Sequence, residues 1–301
     1  MIFSVMKISV CITSYNRKHY LIEAIESVLS QTIQPGEIII VDDCSTDGSQ
    51  EIISAYVVRY PNLIKPFYHE RNCGIARTRT KALEAVIGDF VTYLDGDDRF
   101  LPRKLDLELR SLQRNPHAQI ACSNFHYIDA EGTRIGIWAD GGEPVPQGNV
   151  FVRVFARDYP KGSLFRNELV DYEAWKKVGF YDESLALFED YDMRIRLTKQ
   201  LRTVYCDELL MEYRRHQAGL SRSRAAKKLE AFEYIYRKNR PLLDDLNVAQ
   251  RREIKKRVGK WMARFSGFAA KEAKQSKIGN SAIKEWLKYQ AKKAKYQVAL
   301  F

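Results

Sequence analysis

The sequence predicts an α/β protein in which a mainly parallel sheet, covered by helices on both faces, precedes a helical C-terminal extension. Apolar, β-branched runs alternate with amphipathic stretches through the first hundred residues, the pattern of strands buried on both faces. The 301 residues are 45% hydrophobic and 12% aromatic, enough for a substantial core. Charge then divides the chain. Residues 1–218 hold 27 Lys+Arg against 31 Asp+Glu, a net of −4, and residues 219–301 hold 22 against 7, a net of +15. A domain over 1–218 and a basic, mainly helical extension over 219–301 follow from that break.

The elements follow in order. "KISVCITSY" (7–15) is a first strand, and "YLIEAIESVLSQT" (20–32) sets Leu21, Ile25, Val28 and Leu29 at helical spacing. "GEIIIVDD" (36–43) is a second buried strand and "GSQEIISAYVVRY" (48–60) a second helix. "IKPFYHE" (64–70) gives a third strand, "IARTRTKALEAV" (75–86) a third helix and "DFVTYL" (89–94) a fourth strand. From about 100 to 215 the alternation weakens around a Gly/Pro loop (140–148) and a helix (188–199) that opens acidic. Beyond Gly219 the chain reads as helical and ends rich in lysine.

Sheets of this type bind ligands beyond the carboxyl ends of their strands. Those ends carry Thr13, Ser14, Tyr15 and Asn16, then Asp42, Asp43 and Ser45, then Asp95, Asp97 and Asp98. Three carboxylates within four positions repel one another, so the last cluster calls for a cation. A hard divalent ion with open positions for phosphate oxygens suits it. No run of about 18 apolar residues marks a transmembrane helix. The N-terminus lacks the basic start and small-residue cleavage site of a signal peptide. Cys11, Cys44, Cys73, Cys122 and Cys206 are scattered without C-x-x-C, which indicates reduced thiols rather than a disulfide frame or zinc site. The cysteines suit small core residues, and Cys11, Cys44 and Cys73 also suit positions close to the rim. A cytoplasmic protein is expected, with a peripheral position at the inner face of the membrane as the alternative.

"SVCITSYNR", "SVLSQT", "IIIVDDCSTDGS", "NCGIARTRTKAL", "GDFVTYLDGDDRFLP", "VGFYDESLALFEDYDMRIRL" and "YRRHQAGLS" stand in one order along the chain. Together they resemble a family 2 glycosyltransferase of bacterial, inverting, non-processive type over roughly residues 6–218. The resemblance implies a GT-A fold, with residues 1–100 binding nucleotide and 101–218 binding acceptor. It implies that Thr13 and Tyr15 hold the nucleobase, that Asp43 accepts from its ring N–H, and that Arg79 lies near the nucleotide. Asp95 and Asp97 form the D-x-D element: Asp95 near ribose or metal, Asp97 the main metal ligand, Asp98 an assistant. In the Glu189-Asp190 pair, Asp190 is the base, and Glu189 orients the acceptor or raises its partner's pKa. His216 joins the metal, and Arg214 or Arg215 meets the diphosphate.

The implied reaction is one metal-assisted (Mn²⁺ or Mg²⁺) displacement. A single hexosyl or N-acetylhexosaminyl unit passes from a nucleotide sugar to a hydroxyl of a glycan or lipid-linked glycan of the cell envelope. UDP is the default carrier because Asp43 suits uracil N3–H, an edge that thymine shares. Thr80 departs from the Asn frequent in the family, and no Q-x-x-R-W segment points to a processive polysaccharide synthase.

Other readings accompany several of these residues. Asp47 and Gly48 suit turn chemistry, and Asp42 suits a buried acceptor beneath Asp43 as well as a site role. Glu189 and Asp190 also suit a helix N-terminus through its dipole. No motif supports His19, His69, His117 or His126. Trp138 and Asp140 either line an acceptor cleft or pack a surface loop. In the tail, Ile254, Val258, Trp261, Met262, Phe265 and Phe268 follow helical spacing. That stripe suits packing on its own domain or in a homodimer. It also suits peripheral membrane contact through the basic helices of 250–301; nucleic acid is least favoured. Two other functions stay open: a catalytically silent GT-A-like adaptor binding membrane or nucleic acid, and nucleotidyl transfer.

Overall fold

The computed structural model describes residues 6–216, 224–275 and 279–298, so residues 217–221 of "YRRHQAGLS" lie outside the described residues. Strands β1 (Ile8–Ser14) and β2 (Glu37–Asp42) are buried along their whole length, as continuous apolar runs require. They pair in parallel with β3 (Ile64–Tyr68) and β4 (Phe90–Asp95) in the order β3-β2-β1-β4. Helices α1 (Lys18–Leu29), α2 (Ser49–Arg59) and α3 (Ile75–Glu84) make the crossovers. α1 buries Leu21, Ala24, Ile25 and Val28 on one face at the predicted spacing. Each such large apolar side chain stabilises by about 1.5–3 kcal/mol when shielded from water. Register sets Ser14 beside Asp42 and Thr13 beside Asp95, so the strands end level and deliver their polar residues to one edge.

Past β4 the sheet becomes mixed. β5 (Arg99–Phe100), β6 (Ile120–Ile128), β7 (Arg134–Ile137), β8 (Leu169–Asp171) and β9 (Thr203–Arg214) continue it as β4-β8-β6-β9-β5, with β7 flanking β6. β8 runs antiparallel to β4 and β6, whereas β6 and β9 run parallel. The weak alternation of this region has a physical cause. β5 and β8 have only 2 and 3 residues, too few to show a period, and β6 is buried throughout. Helices α4 (Lys104–Arg114), α5 (Phe151–Phe155), α6 (Tyr172–Val178) and α7 (Glu189–Gln200) accompany this half. β9 pairs with β5, which returns Arg214 to the strand end beside Asp97 and Asp98.

Helices α8 (Ala225–Asn239), α9 (Val248–Gln275) and α10 (Gly279–Val298) form the extension. The tail's apolar stripe packs inward: Ile254, Val258 and Met262 are buried, and only Phe268 of the six stands exposed. Phe232 on α8 is the hinge of this packing, with ring centroids 5.0 Å from Phe188, 5.2 Å from Tyr191 and 5.2 Å from Phe265. The buried carboxylate of Asp192 on α7 adds polar ties, accepting from Lys238 at 2.9 Å and Asn239 at 2.7 Å. Among the described residues, no helix is long and apolar enough to cross a membrane.

Candidate active site

Adjacent carboxylates at the end of β2 face different tasks. Asp42, fully buried, accepts from the Ser45 N–H at 2.8 Å, the Ser45 hydroxyl at 2.6 Å and the Gln50 amide at 2.9 Å, and so holds a turn. Asp47 does the same one step on, accepting from Ser49 and from the Lys18 N–H. Asp43 turns toward the segment that enters α3. Its Oδ1 accepts the Cys73 N–H at 2.7 Å and meets His69 Nδ1 at 2.9 Å, and its Oδ2 accepts the Gly74 N–H at 2.8 Å. A carboxylate offers about four acceptor positions, so one on Oδ2 stays open. His69, unsupported by any motif, thus stands in the site. Its approach follows from β2 and β3 being parallel neighbours, with the His69 N–H donating to Asp42 O at 2.9 Å.

The 95–98 cluster divides its charges. Asp95 Oδ1 accepts from Arg79 Nη2 at 2.8 Å and from the Thr13 hydroxyl at 3.2 Å. Gly96 between the carboxylates lies close to β1: its N–H donates to Thr13 O at 2.9 Å, and a Cβ there would stand 2.9 Å from that same oxygen. Asp97 Oδ2 meets Arg17 Nε and His216 Nε2, each at 2.9 Å. Burial opposes its charge, but His216 and Arg17 outweigh burial and hold the carboxyl below its usual range. Asp98 is driven the other way, well above the carboxylate range, by burial and then by Asp97 and Asp95. One Asp98 oxygen accepts the Arg214 N–H at 2.8 Å, and the other is buried without a partner.

A second group of charges opens α7. Arg79, buried and lying over the Tyr93 ring, joins the two groups, donating to Asp95 and, at 2.6 Å, to Glu189 Oε1. Burial pushes Glu189 up to about 7; Arg79 opposes the shift and the Asp190 charge adds to it. Asp190, partly exposed, accepts from Arg194 at 2.6 Å and from the Tyr191 N–H at 2.8 Å. Burial again opposes the charge, but Arg194, Arg79 and Arg166 hold Asp190 well below its ordinary range. Arg194 is itself fixed by a two-pronged pair with buried Glu168, both contacts at 2.9 Å. The turn into α7 passes through Phe188 at φ +61°, a left-handed conformation costly for a non-glycine residue and held here by its aromatic neighbours.

Other expected residues fall differently. Tyr15 is exposed at the rim. Arg214 is buried, and its guanidinium is committed to Asp97 O at 2.8 Å, Ala130 O at 2.9 Å and Glu23 at 2.7 Å, with its face on Tyr20. The "YRRH" pattern gives no sign of that engagement, because the partners come from helix α1 and from turns distant in sequence. Arg215 is exposed and stacks on Tyr127. Trp138 is wholly buried against Phe125 and packs the core instead of lining a cleft; Asp140 is exposed beside Lys161. Thr80, buried, leaves its hydroxyl unpartnered.

The donor set suits a hard divalent ion. Asp97 and His216 offer one carboxylate and one imidazole 2.9 Å apart, and the orphaned Asp98 oxygen lies in the neighbouring residue. Magnesium-type ions use one or two protein ligands and complete their shell with water and phosphate. Among the described residues, no third His, Cys, Asp or Glu joins this pair within 4.8 Å; Asp43, His69 and Cys73 alone form such a trio. Asp95 is tied to Arg79 and Thr13.

The family model "Glycosyl transferase family 2" matches residues 9–172, which includes Thr13, Asp43, Arg79 and 95–98 but stops short of Glu189, Asp190 and His216. EpsE of Bacillus subtilis (strain 168), a protein named as a glycosyltransferase, is 32% identical over 206 residues, covering 64% of this chain and 72% of EpsE. Other relatives are matched over 23% and 49% of their own lengths. The S. aureus TarS 1–349 structure in complex with UDP-GlcNAc superposes with a TM-score of 0.68 at 20% identity, covering 98% of this chain and 82% of that one. The mannosyltransferase PcManGT from Pyrobaculum calidifontis, in complex with GDP-Man and Mn²⁺, gives a TM-score of 0.62 at 14% identity, covering 99% and 86%. The fold is GT-A.

Proposed function

Because the chain belongs to glycosyl transferase family 2, we propose that it moves one sugar from a nucleotide-diphosphate sugar to an acceptor hydroxyl by an inverting single displacement. The observation that carries this reading is the Arg79 bridge, which ties Asp95 of the D-x-D element to Glu189 beside Asp190. It brings the carboxylate assigned to the donor and the one beside the assigned base to a single guanidinium.

Thr13, Tyr15 and Asp43 hold the base, with the open Asp43 position accepting its ring N–H. Complexes of TarS with UDP-GlcNAc and of PcManGT with GDP-Man support a nucleotide sugar, and we favour UDP. Asp97 and His216 hold Mn²⁺ or Mg²⁺, which when bound neutralises charge on the departing diphosphate. Asp190, ionised and partly open to the cleft, removes the acceptor hydroxyl proton as that oxygen attacks the anomeric carbon and the bond to the diphosphate breaks. Arg194 and Glu168 fix its direction. Glu189, deeper than Asp190, holds Arg79 in place. The 1–100 half serves the donor, the 101–218 half serves a glycan or lipid-linked glycan, and the 219–301 extension supports α7. A panel of UDP-, dTDP- and GDP-sugars with Mn²⁺ tests this: transfer or slow hydrolysis of at least one is expected, lost in Asp97→Ala and Asp190→Ala. Full activity in either variant refutes its assigned role.

A further inference from the structure

Arg166 lies on the segment between α5 and β8, and that segment is rigidly held. Asn167, buried at φ +51°, donates its amide to Tyr93 O at 2.5 Å, while its carbonyl accepts from the Thr92 hydroxyl at 2.8 Å. Glu168 follows, locked to Arg194. The Arg166 guanidinium lies 3.9 Å from the centroid of Tyr213. Among the described residues it has no hydrogen bond and no ion pair, and its Nε is shut off from water without an acceptor.

Among the described residues, exposed Arg215 stacks on Tyr127 without an ion pair, and the other guanidiniums of the site are matched. Arg17 meets Asp97, Arg79 meets Asp95 and Glu189, Arg194 meets Glu168 and Asp190, and Arg214 meets Glu23 and three carbonyls. Arg166 is the part-buried one left over: Tyr213, against which it lies, precedes Arg214, whose N–H meets Asp98, and Glu168, two residues on, pairs with Arg194, the partner of Asp190. It therefore stands between the D-x-D end of the cleft and the base. Holding a part-buried cation without a partner is costly, and an arriving anion with two oxygens in reach of its fork offsets that cost.

We propose that Arg166 is the phosphate-binding arginine of the cleft, gripping the diphosphate of the sugar nucleotide in place of the internally engaged Arg214. The proposal rests on the glycosyltransferase reading. Its test is titration calorimetry of the full chain with UDP and, separately, inorganic pyrophosphate, each with Mn²⁺. Wild type is compared with Arg166→Met and Arg166→Lys, with circular dichroism as the check of fold. Loss of a charge-assisted hydrogen bond predicts affinity for both probes about 10- to 100-fold weaker in Arg166→Met, with Arg166→Lys intermediate. If Arg166→Met fails to fold, Arg166→Gln takes its place with the same expectation. Wild-type binding of UDP that is matched by the folded neutral variant overturns this assignment and leaves the glycosyltransferase reading standing. Wild type that binds neither probe overturns both.

Discussion

Arg79 reaches Glu189 at 2.6 Å across 110 positions of sequence, and its other terminal nitrogen meets Asp95 at 2.8 Å. Arg79→Met leaves both carboxylates without this partner in a buried setting. Breaking a buried pair from one side costs about 3–5 kcal/mol. Urea unfolding should show a loss of that order, and Arg79→Met with Glu189→Gln should recover part of it.

Asp190→Asn keeps the size of the side chain and removes the proton acceptor. Turnover should fall about 10²–10⁴-fold, the usual weight of general-base assistance. UDP affinity, read by calorimetry, should stay at the wild-type value. An equal loss in affinity would mean that Asp190 serves the donor.

Glu189 makes stability depend on pH in a definite direction. Its folded pKa, pushed up to about 7 by burial, exceeds the ordinary value of 4.5, so the folded chain binds more protons than the unfolded one between those values. The stabilising proton is fully present below about pH 4.5 and lost as pH rises through 7. Melting temperature should therefore decline from pH 5 to pH 8 more steeply in wild type than in Glu189→Gln.

Asp97 pairs with His216 and Arg17 at 2.9 Å each, and an ion held by Asp97 and His216, as proposed, would have to replace the direct contact between those two. Mn²⁺ with UDP should raise the melting temperature of wild type, and a chelator should abolish the gain. Asp97→Asn should show neither the gain nor the chelator effect. A full shift in that variant would move the metal elsewhere.

Phe232, buried between α7 and α9, carries the packing of the extension. Phe232→Ala should cost about 3–5 kcal/mol, the usual range for a large aromatic removed from a core. Limited proteolysis should then cut between α8 and α9 faster than in wild type.

The first four strands, their helices and the strand-end residues were legible because parallel strands bury continuous apolar runs and end at one edge. Thr13, Asp43 and Asp95 come together for that reason alone. His69 was legible in principle, since a residue ending β3 must lie beside one ending β2. Arg166, Glu168 and Arg194 were not, because their meaning lies in pairings between β4, the 163–168 segment and α7 that no local spacing encodes. Arg214 shows the converse: its motif is visible, yet Glu23 on α1 and the turn at Ala130 decide where its donors go. The tail's stripe could be recognised, but its counterpart, Phe232 with Phe188 and Tyr191, is assembled only in three dimensions.

The Asp192 carboxylate, fully buried one turn into α7, takes two of its donors from Lys238 and Asn239. Cutting the chain at 218 would leave that carboxylate with Arg196 but without its two tail donors, beneath a bared aromatic wall, so a minimal fragment is not a smaller version of the same machine.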